Sequence, residues 1–241
     1  MQTRQLRVSH IDEHYCAAAF KYLRGYAVKY RDMAAMVCLD DKSKVDFGEP
    51  GQAISSGVRG KKSIVATGSV LSALDHDVQQ KGSLTPSVCL LVDIPEQVED
   101  TFYRGQVFVT LKDSIFQPSS PWRHATEIME NLRKSSMDEG ISAVPPMLLI
   151  YSDGGPDHRI TFESVKLSLI CLFKHLDLDV LIAARTAPGH SWANPAERVM
   201  SLLNLAYQNV ALYRKEMNSN FEQIIKSTNT MSDIRKKSCK H

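Results

Sequence analysis

"PPMLLIYSDGGPDHR", residues 145 to 159, is apolar from Met147 to Tyr151 and turns polar at Ser152 and Asp153. A short apolar run behind two prolines reads as a central strand buried on both faces. Asp153 then stands at the strand's carboxyl end, where open α/β sheets present their ligands. Asp-Gly-Gly-Pro is also ordinary turn chemistry, in which glycine supplies a positive φ and the aspartate caps its own backbone. Taken alone, the stretch fits the turn better. What changes the balance is whether other acidic side chains reach the same edge.

Two others do. "MAAMVCLDDK", residues 33 to 42, is an apolar run that closes on Asp40 and Asp41, a second strand with carboxylates at its end. Glu197 opens a helical pattern after the apolar run "DVLIAA". If the strands bearing Asp40 and Asp153 are neighbours, both carboxylates reach one edge, and the helix carrying Glu197 can approach across it. Clustered carboxylates repel and are costly to bury unpaired, and a divalent cation resolves the conflict. All-oxygen donors suit Mg²⁺ or Mn²⁺, and a pair of such ions serves phosphodiester chemistry.

The rest of the chain is consistent with this frame. Its 241 residues, 43% hydrophobic, suffice for one large domain with end extensions. A helix is expected from about Val8 to Tyr30, with Ile11, Tyr15, Ala18, Ala19, Tyr22 and Tyr26 as its repeating face. Residues 42 to 86 read as loops around one short strand near Ile64 to Thr67, and "SVCLLVDIP" and "GQVFVTLKDS" as two further strands. Helices are expected over 121–134, with Ser120 as N-cap and Pro121 at the first position, then over 161–175 and 195–215. "DVLIAA" is read as a buried strand. Strands first and then α-β-α-β-α describe an α/β protein with a mixed sheet flanked by helices.

Composition closes off several alternatives. Lys+Arg 29 against Asp+Glu 27 gives +2, so global charge does not announce a nucleic-acid binder. The five scattered cysteines suit buried thiols in a reducing compartment, neither a disulfide framework nor a zinc site. His10 and His14 share a helix face but lack a third ligand at a metal-site spacing. No apolar run approaches the roughly 18 residues needed to cross a bilayer, and no secretory leader opens the chain, so a soluble intracellular protein without a membrane partner is expected. "GHSWA" at 189–193 superficially fits a nucleophile elbow, but Pro195 at the first helical position behind Asn194 as N-cap places the helix start well past Ser191, and the single downstream histidine is the terminal His241.

The three acidic segments, "CLDDK", "YSDGGPDHR" and "TAPGHSWANPAERVMSLLN", resemble the catalytic core of DDE transposases and retroviral-type integrases. The resemblance runs from about residue 33 to 215 and implies an RNase H-like fold. It also implies metal-dependent phosphodiester hydrolysis and strand transfer on DNA. Asp40, Asp153 and Glu197 become the ligands of Mg²⁺ or Mn²⁺, two ions in all. Strand alternation does not choose between Asp40 and Asp41; the transposase-like pattern does, with its ligand two residues before the lysine. His158, Arg159, His190 and Arg198 flank the expected site as DNA contacts. Arg59, Lys61 and Lys62, in the basic loop "GVRGKK", are further DNA contacts.

The implied organisation is a helical lead-in over 1–32, a catalytic core over 33–215 and a basic extension over 216–241. From Arg214 onward that end carries seven basic residues against three acidic ones and reads as solvated. The implied partners are DNA, as transposon ends and target, a second copy of the chain, and a separate DNA-binding subunit or domain. The implied compartment is the nucleus in a eukaryote and the cytoplasm otherwise. A transposon-derived protein of the same fold that binds without cutting is the alternative, and a nuclease acting on RNA or branched DNA is a third reading.

Overall fold

The computed structural model describes residues 9–55, 64, 67, 70, 71, 82–138, 144–228 and 230–238. Its elements in chain order are α1 (Glu13–Lys29), β1 (Ala34–Asp41), β2 (Val45–Phe47), β3 (Gln52–Ser55), β4 (Val70–Leu71), β5 (Gly82–Val92), β6 (Gly105–Asp113), α2 (Pro121–Asp138) and β7 (Met147–Ser152). They continue with α3 (Glu163–His175), β8 (Val180–Arg185), a 3₁₀ turn (Ser191–Ala193), α4 (Ala196–Ala206), β9 (Ala211–Leu212), α5 (Ser219–Lys226) and α6 (Met231–Ser238). The chain divides into two compact units. The first holds residues up to Asp40, Ser87–Val109 and Ser120–Met200, and the second Asp41–Pro86, Thr110–Ser119 and Ser201 onward.

The main sheet runs β6-β5-β1-β7-β8. In the first unit β1, β7 and β8 are parallel, with Ala34 opposite Met147 and Leu39 opposite Ser152, then Met147 opposite Val180 and Ser152 opposite Arg185. The strands at 34–41 and 147–152 are thus neighbours, as the acidic edge requires. Parallel strands need helical crossovers, which cover both sheet faces and leave the central strands buried throughout. Residues 34 to 40 of β1 and all of β7 are buried accordingly. With β2 antiparallel to β5 the sheet is mixed. Strand order, mixed pairing and flanking helices make an α/β fold with a central mixed sheet between helices.

Alternation assigns the two faces. Val37, Leu39, Leu148 and Ile150 point to one side, where Ala125, Ile128 and Leu132 of α2 and Leu172 of α3 complete a core. Met36, Cys38, Leu149 and Tyr151 point to the other, where α1 lies over β7 and β8 and the Phe20 ring stacks on Tyr151 with centroids 3.9 Å apart. The α1 helix forms where its apolar period predicts, but it rests on a different stripe. Cys16, Leu23 and Ala27 are buried, whereas Ile11, Tyr15 and Tyr22 are at least 74% exposed. Small and aliphatic side chains approach a flat sheet closely, and the amphipathic tyrosines take the outer positions.

Other boundaries also move. β8 is the last strand of the sheet, so it is half-buried along its length instead of buried. Ser120 caps α2 as expected, its hydroxyl accepting from the Arg123 N–H at 3.2 Å. Phe162 precedes α3 and is 42% exposed, outside the Val165–Leu172 face. α4 stops at Ala206, short of 215, because Asn209 takes a left-handed φ of 60° and turns the chain. Cys16, Cys38 and Cys89 are buried thiols, while Cys171 is exposed. Burial pushes the Cys38 thiol up, with Cys89 adding to it, and pushes Cys89 to about 12, so both stay protonated core atoms.

The second unit has its own framework. β3 pairs in parallel with β4 and antiparallel with β9, so β2, β3 and β4 fall in the region read as loops; of the strand expected near Ile64 to Thr67, Ile64 makes a bridge to Val210, and residues 65 and 66 lie outside the described residues. Ile115, Ile225 and Ile234 form a small core that includes α5 and α6. Residues beyond 215, read as a solvated end, therefore supply packed side chains. Arg214 is pinned there between Glu49 and Glu222, with Nη1 to Glu222 Oε1 at 2.5 Å and Nη2 to Glu222 Oε2 at 2.8 Å.

Candidate active site

The two aspartates arrive by register. Leu39 faces Ser152 across β1 and β7, so one further step sets Asp40 beside Asp153 at the carboxyl ends of two parallel strands. Both continue the Cys38 and Tyr151 face, the side covered by α1. Asp40 is buried, 5% exposed, and Asp153 is half-buried. Two glycines follow Asp153 for two separate reasons. Gly154 has a φ of +76°, and a Cβ there would stand 3.0 Å from Cδ of Arg185. Gly155 donates its N–H to Asp153 Oδ1 at 3.0 Å, and a Cβ there would stand 3.2 Å from Oδ2. The loop is locked from behind as well, since the Thr186 hydroxyl donates to the Asp153 carbonyl at 2.9 Å. The turn and the site are one structure: the cap that makes the turn also orients the carboxylate.

Glu197 is delivered by a tether. Asn194 is fully buried; its Nδ2 donates to the Leu39 carbonyl at 2.7 Å and its Oδ1 accepts from the Ala196 N–H at 3.2 Å. One side chain thus caps the start of α4 and binds it to the residue before Asp40. Glu197 lies in the first turn of α4, half-buried, where the helix dipole favours a carboxylate. The sequence singled out Asn194 as a cap only. Its bond to β1 joins residues 155 positions apart and had no local signature.

Asp41 has contacts of its own. Within the second unit its Oδ2 accepts from the Ser119 hydroxyl at 2.8 Å, and Oδ1 lies 3.6 Å from Nζ of Lys112, whose side chain is fully buried. Asp41 thus balances a buried ammonium group.

The flanking cations and histidines divide by exposure. Arg159 and Arg198 are exposed. Arg159 lies 5.2 Å from the Phe162 ring centroid, and Arg198 lies 3.8 Å from that of Tyr103, a cation–π contact. His158 and His190 are buried, His158 against His124 and His190 with Nε2 3.7 Å from Glu13 Oε2. Arg59, Lys61 and Lys62 lie outside the described residues. Among the described residues no helix is long and apolar enough to cross a membrane.

No family model matches the chain, and no curated protein matches it in sequence. Among solved structures it is similar to the Mos1 mariner paired-end complex with Mn, at 14% identity and a TM-score of 0.44 over 98% of this chain and 63% of that one. It is also similar to the Mos1 transposase paired-end complex with the left transposon end, at 13% identity and TM-score 0.41 over 98% and 62%. A pre-cleavage Mos1 transpososome aligns at 10% identity and TM-score 0.40 over the same shares of the two chains. The chain spans about 63% of the length of the first of these transposase chains.

Proposed function

We propose that this chain is a DDE-type catalytic domain that cleaves and joins phosphodiesters in DNA, with Asp40, Asp153 and Glu197 holding Mg²⁺ or Mn²⁺. The observation that carries the proposal is the parallel register of β1 and β7, which sets two carboxylates side by side at strand ends, with Asn194 fastening the helix of Glu197 to the same strand. The donor set fits the group: all three are carboxylates, they are buried or half-buried, and hard oxygen ligands suit Mg²⁺ and Mn²⁺. When bound, two such ions activate the attacking oxygen and stabilise the leaving one.

The chain's own residues have distinct parts. Asp40 is fixed by the central strand. Asp153 is fixed by its bond to the Gly155 N–H and by Thr186. Glu197 is the member carried on a helix, so its position depends on Asn194. An attacking water or DNA 3′-hydroxyl forms the new bond to phosphorus as the bridging P–O bond breaks and its electron pair leaves on oxygen. In this reading Arg198 and Arg159, which are exposed, meet backbone phosphates. DNA, as transposon ends and target, is the proposed partner.

The test is nicking of a supercoiled plasmid by the purified chain, with Mg²⁺ or Mn²⁺ and with chelator. Wild type nicks only with the cation, and Asp40→Asn does not nick while remaining folded. Binding of DNA without nicking in either cation would leave the binding-only reading and remove the catalytic one.

A further inference from the structure

The stripe of α1 that the sequence marks as a buried face is the one left in the open. Ile11 is 95% exposed, Tyr15 74%, Tyr22 76% and Tyr26 40%. Four and seven residues apart, the tyrosines share one side of the helix with Ala19. That side overhangs β8, the last strand of the main sheet, and Tyr15, Ala19, Tyr22 and Tyr26 form with Ile182 and Ala184 an open groove of about 280 Å³. Contiguous apolar surface of this kind is rare on a monomer, and tyrosine is a residue that interfaces favour.

Charge selects the occupant. Asp12 and Glu13 stand at the start of α1, and Lys21, Arg24 and Lys29 in its second half. A second α1 laid antiparallel brings opposite charges together and opposes the two helix dipoles, whereas a parallel one brings like charges together. The antiparallel pairing that sets Asp12 against the partner's Lys29 also sets Tyr15 against the partner's Tyr26 and Ala19 against the partner's Tyr22. Each large ring thus meets a ring or a gap. Asp12 keeps its own Arg185, with Oδ2 3.6 Å from Nη2, because a carboxylate accepts from several donors. We propose that two copies of this chain associate through α1, antiparallel about a two-fold axis, with Tyr22 of each seated against Ala19 in the groove of the other. The contact is self-complementary, so it closes as a dimer. Six tyrosines and two isoleucines cover at most about 1,200 Å², the lower end for a specific interface, so the dimer is reversible. The surface holds none of Asp40, Asp153 and Glu197, so either proposal can fail without the other.

The test is sedimentation of the 241-residue chain across a range of concentrations, beside thermal unfolding. Wild type passes reversibly from one chain mass to two, and Asp40→Asn does the same. Tyr22→Glu, at an exposed position, unfolds as wild type does and weakens the dimer by at least about 10-fold. Asp12→Lys and Lys29→Asp each weaken it as well, because like charges then face each other across the axis. An equimolar mixture of these two restores association, since every facing pair is again opposite in sign. If Tyr22→Glu does not fold, the mixture decides. A wild-type chain of one mass at every concentration, a dimer untouched by Tyr22→Glu, or a mixture no stronger than its components would overturn the proposal and leave the stripe to a partner of another kind.

Discussion

Replacing Asn194 with Ala removes one side chain and breaks two connections. The lost acceptor uncaps α4 at Ala196, which costs about 1 kcal/mol. The lost donor strips the Leu39 carbonyl of its 2.7 Å partner in a buried setting, which costs about 1–3 kcal/mol. Together Asn194→Ala is expected to destabilise the first unit by about 3 kcal/mol in urea unfolding followed by circular dichroism. Asn194→Asp separates the two effects: it keeps the cap acceptor and loses the donor, so it retains helix content yet still detaches α4 from β1. Both variants release the start of α4, which carries Glu197, from its bond to β1, and if Glu197 acts as proposed, a displacement of about 1 Å costs about 100-fold in rate. Plasmid nicking by the folded fraction should fall by that order in each. A loss under 1 kcal/mol in Asn194→Ala, or wild-type nicking by folded Asn194→Asp, would refute the tether.

Two further outcomes follow from named contacts. Hydrogen bonds from Arg214 hold the Glu222 carboxyl down at about 2, below its ordinary 4.5, so its contribution to stability is full above about pH 4.5 and is lost as pH falls toward 2. Glu222→Gln is accordingly expected to lower stability by about 3 kcal/mol near neutral pH, the scale for breaking a buried pair, with the difference from wild type vanishing near pH 2 in denaturant titrations. Gly154→Ala forces a side chain into a φ of +76° against Arg185 and should cost about 1–2 kcal/mol, measured by thermal unfolding, while lowering nicking through the Asp153 turn.

Legibility in the sequence tracked how local the cause was. β1 and β7 stood out because buried parallel strands read as unbroken apolar runs ending in a change of polarity, and Ser120 before Pro121 announced α2. The stripe of α1 did not stand out: Tyr15 and Tyr22 keep the same helical period as Cys16 and Leu23, and only the sheet beneath selects between the two. β8 was read as buried because an apolar run says nothing about which strand ends the sheet. The short strands of the second unit and the packing of Ile225 and Ile234 depend on partners far away in the chain, which periodicity does not encode. At the site, Asp40 and Asp41 were equivalent by alternation. The family resemblance chose Asp40, and the contacts of Asp41 with Lys112 and Ser119, both remote in sequence, were not legible. Asn194 was visible as a cap, while its bond to Leu39 was a property of the fold.

Whether three carboxylates act together on a phosphodiester is decided at Glu197. In the first turn of α4 a glutamate also favours the helix dipole and can serve the cap, a role that needs no metal. Glutamine serves a capping box nearly as well but is a poor ligand for Mg²⁺. Nicking of plasmid DNA by Glu197→Gln, measured beside Asp153→Ala and wild type in Mg²⁺ and Mn²⁺, therefore separates the two roles. Glu197→Gln is expected to lose about 0.5 kcal/mol of stability or less and to be as inactive as Asp153→Ala in both cations. Wild-type nicking by Glu197→Gln, with a loss of stability in Glu197→Ala, would make Glu197 a helix cap and contradict the triad.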